Sequence, residues 1–120
     1  MGRVYDPSGS AWTKVGRQGA VLVSGHELLA LGEGGPTRIA LTRIEPGGVF
    51  GPHVDEYAHV FCVLAGRGEV SVGKQRSPVS RGMVILTDIR EPHGLWAAPD
   101  EELVLVSANV YPKGEPAPRA

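Results

Sequence analysis

Short runs of apolar, often β-branched residues alternate along the chain with glycine, proline and other turn residues. No run keeps a helical period over a useful length. The runs recur at roughly 8–12 residues, a spacing that favours an all-β sandwich or barrel. A Glu-Pro-Gly-Gly turn is expected to end the second strand. The predicted strands cover residues 20–25 with a continuation at 28–31, and then 38–44, 59–64, 69–72, 83–86, 94–97 and 103–110.

Two of these predicted strands, 59–64 and 103–110, are apolar on both faces. In the first, alternation places Phe61 and Val63 on the same face as His59, and the opposite face is apolar as well. A second subunit would cover such an outer face, so we expect a homodimer. Cover by another sheet layer or by the N-terminal segment is the alternative.

The length and composition of the chain exclude several classes of function. At 120 residues the chain is expected to form one domain, with its core over about 20–111 and a proline-rich, extended or frayed tail at 112–120. Lys and Arg number 12 and Asp and Glu 13, a balance that predicts neither nucleic acid nor an acidic membrane surface as partner. The single cysteine, Cys62, excludes a disulfide framework and a thiolate zinc cluster. No run is long and apolar enough to cross a bilayer and no apolar signal region is seen, so we expect a cytoplasmic location.

Histidines provide the candidate chemistry. His53, Asp55 and His59 have the same parity, so an extended backbone would direct their side chains to one face. Imidazole and carboxylate donors suit a first-row divalent ion, and His93 from a distant strand would complete the site. The fourth histidine, His26, is expected in an exposed turn. Because a lone histidine in a strand-rich protein is more often a surface or satisfied core residue, spacing alone leaves both interpretations open.

The segment 47–66 has glycine, five residues, histidine, one residue, aspartate, three residues, histidine, six residues and glycine. This resembles the first motif of the cupin superfamily, in which histidine and glutamate are usual where Asp55 and His59 stand. The second motif is matched by Gly82 and His93. The other three motif positions, usually Pro, Gly and Asn, hold Asp88, Arg90 and Ala97. The resemblance covers about residues 37–110. Within the superfamily, the chain is similar to small single-domain microbial cupins.

The resemblance implies a double-stranded β-helix, or jelly-roll barrel, that holds one divalent transition metal ion: iron, manganese, zinc, nickel or copper. It implies His53, His59 and His93 as ligands, as a variant of the four-histidine subset of small cupins. Asp55 is either the fourth ligand or, because its side chain is short, a residue that holds a metal-bound water or orients an imidazole.

Four aromatic residues are assigned to a substrate pocket. Phe50, Phe61 and Trp96 are expected inside the barrel, and Tyr57 in the loop between the ligands. Plain core packing is the alternative for the first three, and solvent exposure for the fourth.

The resemblance makes dioxygenase-like oxygen chemistry on a small organic molecule the first functional hypothesis. A redox-neutral isomerase, lyase or cyclase is the second, because zinc at such a site polarises carbonyls or activates water. A non-catalytic cupin that binds a sugar or another metabolite is the hypothesis from a different class. A barrel with a vestigial metal site is the last alternative, since fold alone does not fix function.

Overall fold

A computed structural model describes residues 4–31 and 36–112, which form one curled antiparallel sheet. A short 3-10 turn, Pro7–Gly9, precedes the strands. The strands of this part of the chain are β1 (Thr13–Lys14), β2 (Ala20–Leu31), β3 (Thr37–His53), β4 (Ala58–Ala65), β5 (Arg67–Val72), β6 (Gln75–Ser80), β7 (Val84–Thr87), β8 (His93–Ala97) and β9 (Leu103–Val110). The predicted all-β, jelly-roll fold is confirmed.

Strand β3 joins the two halves of the barrel. The sheet order is β6-β5-β8-β3-β9-β4-β7, with β2 on β3 and β1 on β2. The first part of β3 pairs with β9, from Thr37 to Ile44, and its last part pairs with β8. This pairing sets His53, the last residue of β3, opposite His93, the first residue of β8. Strand β4 lies on the other side of β9 and pairs with β7.

The apolar core fills one end of the barrel interior. Ile44, Leu103 and Leu105 are completely buried, and Val63 is 1% exposed. Burying an aliphatic side chain of this size stabilises a fold by about 1.5–3 kcal/mol. The alternation predicted for β4 is confirmed, because the face with Phe61 is buried and the face with its two neighbours is more exposed.

Gly66 has to be glycine at the corner between β4 and β5. Its φ is +84°, and a Cβ there would lie 1.7 Å from the carbonyl oxygen of Glu102. A side chain would therefore clash with backbone as well as strain the chain. Steric constraints therefore explain why glycine stands at the last position of the first motif.

Two sequence predictions about the fold need correction, and strands β1 and β6 were not predicted. The second predicted strand does not end at the Pro46 turn, because β3 bends there, with Gly47 at φ +74°, and continues to pair with β8. Strand β6 was not predicted, because Pro78 and polar residues interrupt it. Proline is tolerated there because β6 lies at the end of the sheet path and pairs with β5. His26 is a half-buried strand residue of β2 rather than a turn residue.

The N-terminal segment covers one part of the outer face of the sheet. The guanidinium of Arg43 lies 4.8 Å from the centre of the Trp12 ring, and both lie beside Leu64 and Val104. Further along this face, β4, β7 and β9 leave apolar side chains 42–65% exposed, namely Val60, Val84, Leu86 and Val110. Within the described residues, no helix is long and apolar enough to cross a membrane.

Candidate metal centre

The four predicted donor residues converge inside the barrel. His53 ends β3, His59 is the second residue of β4, His93 begins β8, and Asp55 lies in the loop between β3 and β4. The Nε2 atoms of the three histidines lie 3.4, 3.2 and 3.4 Å, respectively, from Oδ2 of Asp55. The donor atoms of His53, Asp55 and His93 all lie within 4.8 Å of one another. The convergence depends on the loop that turns Asp55 inward, and not on one continuous extended strand.

The second nitrogen of each ring is hydrogen-bonded away from this centre. His53 Nδ1 lies 2.8 Å from the carbonyl oxygen of Gly51, and His93 Nδ1 lies 2.9 Å from that of Glu91. A carbonyl oxygen only accepts, so these Nδ1 atoms carry the protons and the Nε2 lone pairs face the centre. His59 Nδ1 lies 2.8 Å from the hydroxyl oxygen of Thr87, a group that is able to accept in the same sense. These partners fix the tautomer and ring orientation required for metal ligation.

Without a cation, this arrangement is electrostatically unfavourable. Nε2 of His93 is buried and has no hydrogen-bond partner within the described residues. Lone pairs of three neutral imidazoles facing a carboxylate oxygen repel it, and three imidazolium ions would bury an excess of positive charge. Ligands bonded to one ion at about 2.0–2.2 Å lie about 3.0–3.5 Å apart, which is the range observed around Oδ2 of Asp55. The donor set and its spacing therefore fit a first-row divalent ion.

The protonation states agree with this donor set. Burial lowers the pKa of His59, so the imidazole is neutral and able to bind a cation at pH 7. Burial alone raises the pKa of Asp55, but any imidazole that donates a proton from Nε2 in the metal-free protein, together with the Arg17 guanidinium, favours the ionised form more strongly. They hold the pKa of Asp55 well below its usual range, so the carboxylate is anionic at neutral pH.

Two residues that contact the donors were missed by the sequence analysis. Arg17, in the turn between β1 and β2, places Nη1 2.8 Å from Oδ1 of Asp55. Nothing in its local sequence marks it, because the contact joins residues 38 positions apart. Thr87 was within reach of the sequence analysis, since alternation along β7 places it on the same inward face as Ile85.

Three of the four predicted aromatic residues line a pocket of about 100 Å³ beside the donors. The Phe50 ring stacks on His53 at a centroid distance of 4.2 Å, and the Phe61 ring stacks on His59 at 4.8 Å. Tyr57 lies 4.8 Å from the His59 ring. The wall is completed by Ala40, Thr42, Leu95, Ser107 and Asn109, together with Arg17.

Trp96 does not line this pocket, contrary to the sequence prediction. Strand β8 directs His93, Leu95 and Ala97 into the barrel, where each is buried. Trp96 has the opposite parity and lies on the outer face. There the guanidinium of Arg76 stacks over it, 3.8 Å from the ring centre.

Comparison with known proteins agrees with this architecture. A family model described as a cupin domain matches residues 40–109, more than half of the chain. The polyketide cyclase RemF from Streptomyces resistomycificus superimposes with a TM-score of 0.79 at 19% identity, over 96% of this chain and 83% of that one. A cupin-2 domain protein from Rhodospirillum rubrum gives 0.77 at 20% identity, over 100% and 82%. A predicted oxalate decarboxylase from Thermotoga maritima gives 0.78 at 19%, over 92% and 100%.

At these identities the structural similarities show a shared fold. No curated protein sequence matches the chain. The match of the family model over residues 40–109 includes all four donor residues and most of the strands that carry them. The chain belongs to the cupin family.

Proposed function

We propose that this cupin binds one divalent transition metal ion through His53, Asp55, His59 and His93, and that it is a metal-dependent enzyme acting on a small organic molecule. The observation that carries the proposal is the convergence of three imidazole Nε2 atoms on one carboxylate oxygen, at 3.2–3.4 Å. Each ring is already oriented by a hydrogen bond at Nδ1. A preorganised donor set of this kind has no purpose in stabilising the metal-free fold.

The pocket residues support chemistry supplied by the ion. Among the described lining residues there is no glutamate, lysine or cysteine. Burial and the nearby charge of Asp55 raise the pKa of Tyr57, so its phenol remains protonated at neutral pH and does not act as a base. Iron or manganese held by this donor set would supply oxygen-dependent, dioxygenase-like chemistry, which is the first candidate.

The protein side chains bind and orient the substrate in this proposal. Phe50, Phe61 and Leu95 give apolar walls that exclude water from the small pocket. Oδ1 of Asn109 is buried without a hydrogen-bond partner in the described part of the chain, so it is available to a donor group of a ligand. The pocket volume of about 100 Å³ favours a small molecule or one end of a larger one.

A redox-neutral reaction is the second candidate. Its specific support is the fold similarity to a polyketide cyclase. Zinc at the site would favour this candidate over oxygen chemistry, since it has no redox chemistry and acts as a Lewis acid. A protein that binds metal and small ligands without turnover would instead be a binding cupin.

Elemental analysis of protein purified without a metal-affinity tag tests the proposal. We expect roughly one ion per chain in the parent, and loss of that ion in His53→Ala, His59→Ala and His93→Ala. His26→Ala is the matched control, because His26 lies on β2 beside Tyr5 and outside the site. Iron or manganese, with oxygen consumption on addition of substrate, supports the first candidate. Absence of metal after incubation with excess ions refutes the proposal.

We also propose a homodimer through the exposed apolar face of β4, β7 and β9. Val60, Val84 and Leu86 are 42%, 59% and 65% exposed in a single chain. Adjacent exposed apolar side chains of this kind are typical of an interaction surface. Sedimentation equilibrium should give twice the chain mass of 12.7 kDa, and Leu86→Arg should give the single-chain mass.

A further inference from the structure

The two carboxylate oxygens of Asp55 have separate partners. Oδ2 faces the three imidazoles, whereas Oδ1 accepts a hydrogen bond of 2.8 Å from Nη1 of Arg17. The Asp55 side chain is 6% exposed and that of Arg17 is 46% exposed, so the guanidinium reaches in from the pocket entrance. The carboxylate is therefore shielded from solvent, and the described contact of Oδ1 is with Arg17.

The turn that carries Arg17 is itself tied to the donor end of β3. The backbone N–H of Ala20 donates to the Arg17 carbonyl at 3.1 Å, and that of Gly51 donates to the Gly19 carbonyl at 2.9 Å. The Arg17 guanidinium also lies 5.6 Å from the centre of the Phe50 ring. A side chain held at its base and along its length loses little further freedom on making its ion pair.

From this geometry we propose that Arg17 is a positioning residue that allows an aspartate to serve as a metal ligand where the family motif has histidine. A free carboxylate rotates about its last torsion and presents either one or both oxygens to an ion. With Oδ1 held by a charge-assisted hydrogen bond, Asp55 presents Oδ2 alone. This inference rests on the proposed function, because it concerns the same metal site.

Cobalt binding to metal-free protein tests this role without any assay of activity. We compare the parent with Arg17→Gln, Arg17→Lys and Arg67→Gln, using competition with a chelator for affinity and the visible absorption of Co²⁺ for ligand geometry. Arg67→Gln is the matched control: it also removes one positive charge from a half-exposed arginine, but the ion-pair partners of Arg67 are Asp100 and Glu101 and not a donor residue. Thermal unfolding of each metal-free variant verifies that it folds.

We expect Arg17→Gln to weaken cobalt binding about 10- to 100-fold, as is typical for loss of a group that orients a ligand. The cobalt spectrum should change in the same variant, Arg17→Lys should recover part of the affinity, and Arg67→Gln should match the parent. Equal affinity in Arg17→Gln and the parent overturns the inference and leaves the proposed function intact. A weaker affinity with an unchanged cobalt spectrum also overturns it, because the ligand geometry then does not depend on Arg17. Full recovery of the affinity by Arg17→Lys would identify a general charge effect as the cause. A parent that binds no cobalt overturns the proposed function and this inference with it.

Discussion

At one end of the barrel interior, Ile44 and Leu105 are completely buried among aliphatic side chains. At the other end, His59 and His93 are nearly as deeply buried, at 5% and 2% exposure, but their ring nitrogens face a carboxylate. The two ends share strands, since β4 contributes His59 to one and Val63 to the other. Burial to a similar degree therefore affects the free energy of folding in opposite ways at Val63 and at His59, although both lie on β4.

The difference shows which end stabilises the fold and which end serves function. Aliphatic burial is favourable with no further partner. A buried polar atom without a hydrogen-bond partner, as described for Nε2 of His93, costs about 1–3 kcal/mol. The donor end is therefore maintained at a cost to the metal-free fold, which is the pattern expected of a functional site.

The largest expected effect on the free energy of unfolding is at the apolar end. Leu105→Ala should lower it by about 2–5 kcal/mol, because a buried cavity remains. Chemical denaturation in the presence of a chelator measures the loss. Leu29→Ala is the matched control, since Leu29 is 42% exposed and should lose much less. Similar losses in the two variants would remove the distinction between the apolar end and the rest of the barrel.

His93→Leu tests the opposite behaviour at the donor end. An ion present at about 100 times its dissociation constant stabilises the folded protein by about 2.7 kcal/mol. The variant should lose this increment, because it lacks one ligand. Its metal-free free energy of unfolding should remain within about 1 kcal/mol of the parent's, because removal of the unsatisfied Nε2 is offset by loss of the Nδ1 hydrogen bond to Glu91. Denaturation with and without added metal measures both quantities, and an increment that survives in the variant contradicts the assigned role of His93.

The alternation of apolar and polar residues predicted the regular strands correctly. The prediction failed where a strand bends. Along β4, period-two alternation correctly placed His59, Phe61 and Val63 on the buried face. At the Pro46 turn, a local signal that normally ends a strand was overridden by tertiary pairing, because β3 exchanges β9 for β8 as its partner there. A sequence pattern contains no information about such a change of partner.

The spacing of the motifs predicted the metal-donor residues of the site. It predicted the surrounding pocket and contact residues less well. The spacing of the first motif predicted that Asp55 would meet the histidines, and the loop before β4 brings them together. The prediction for Trp96 was wrong for a reason visible in the sequence: counted from His93, Leu95 and not Trp96 shares the inward face. Arg17 was not predictable, because its contact depends on where a distant turn docks.

Thr87→Val is expected to have the smallest effect, and it tests how far the donor end extends. The substitution keeps the volume but removes the hydroxyl that is hydrogen-bonded to His59 Nδ1 at 2.8 Å. Loss of such a partner weakens metal binding by about 10- to 100-fold. We expect the lower limit, about 1.4 kcal/mol, because ring contacts with Tyr57 and Phe61 also hold the imidazole. Chelator competition with cobalt measures the change.

Thr42→Val is the control for this experiment, since Thr42 lines the same pocket but makes no contact with a donor atom among the described hydrogen bonds. It should bind cobalt as the parent does. Equal weakening in both variants would mean that pocket polarity in general, rather than the orientation of His59, supports the metal. Weaker cobalt binding in Thr87→Val alone would show that Thr87 belongs to the donor end of the barrel. Ile85, two residues earlier on the same face of β7, belongs to the apolar core. The boundary between the two ends would then lie within β7.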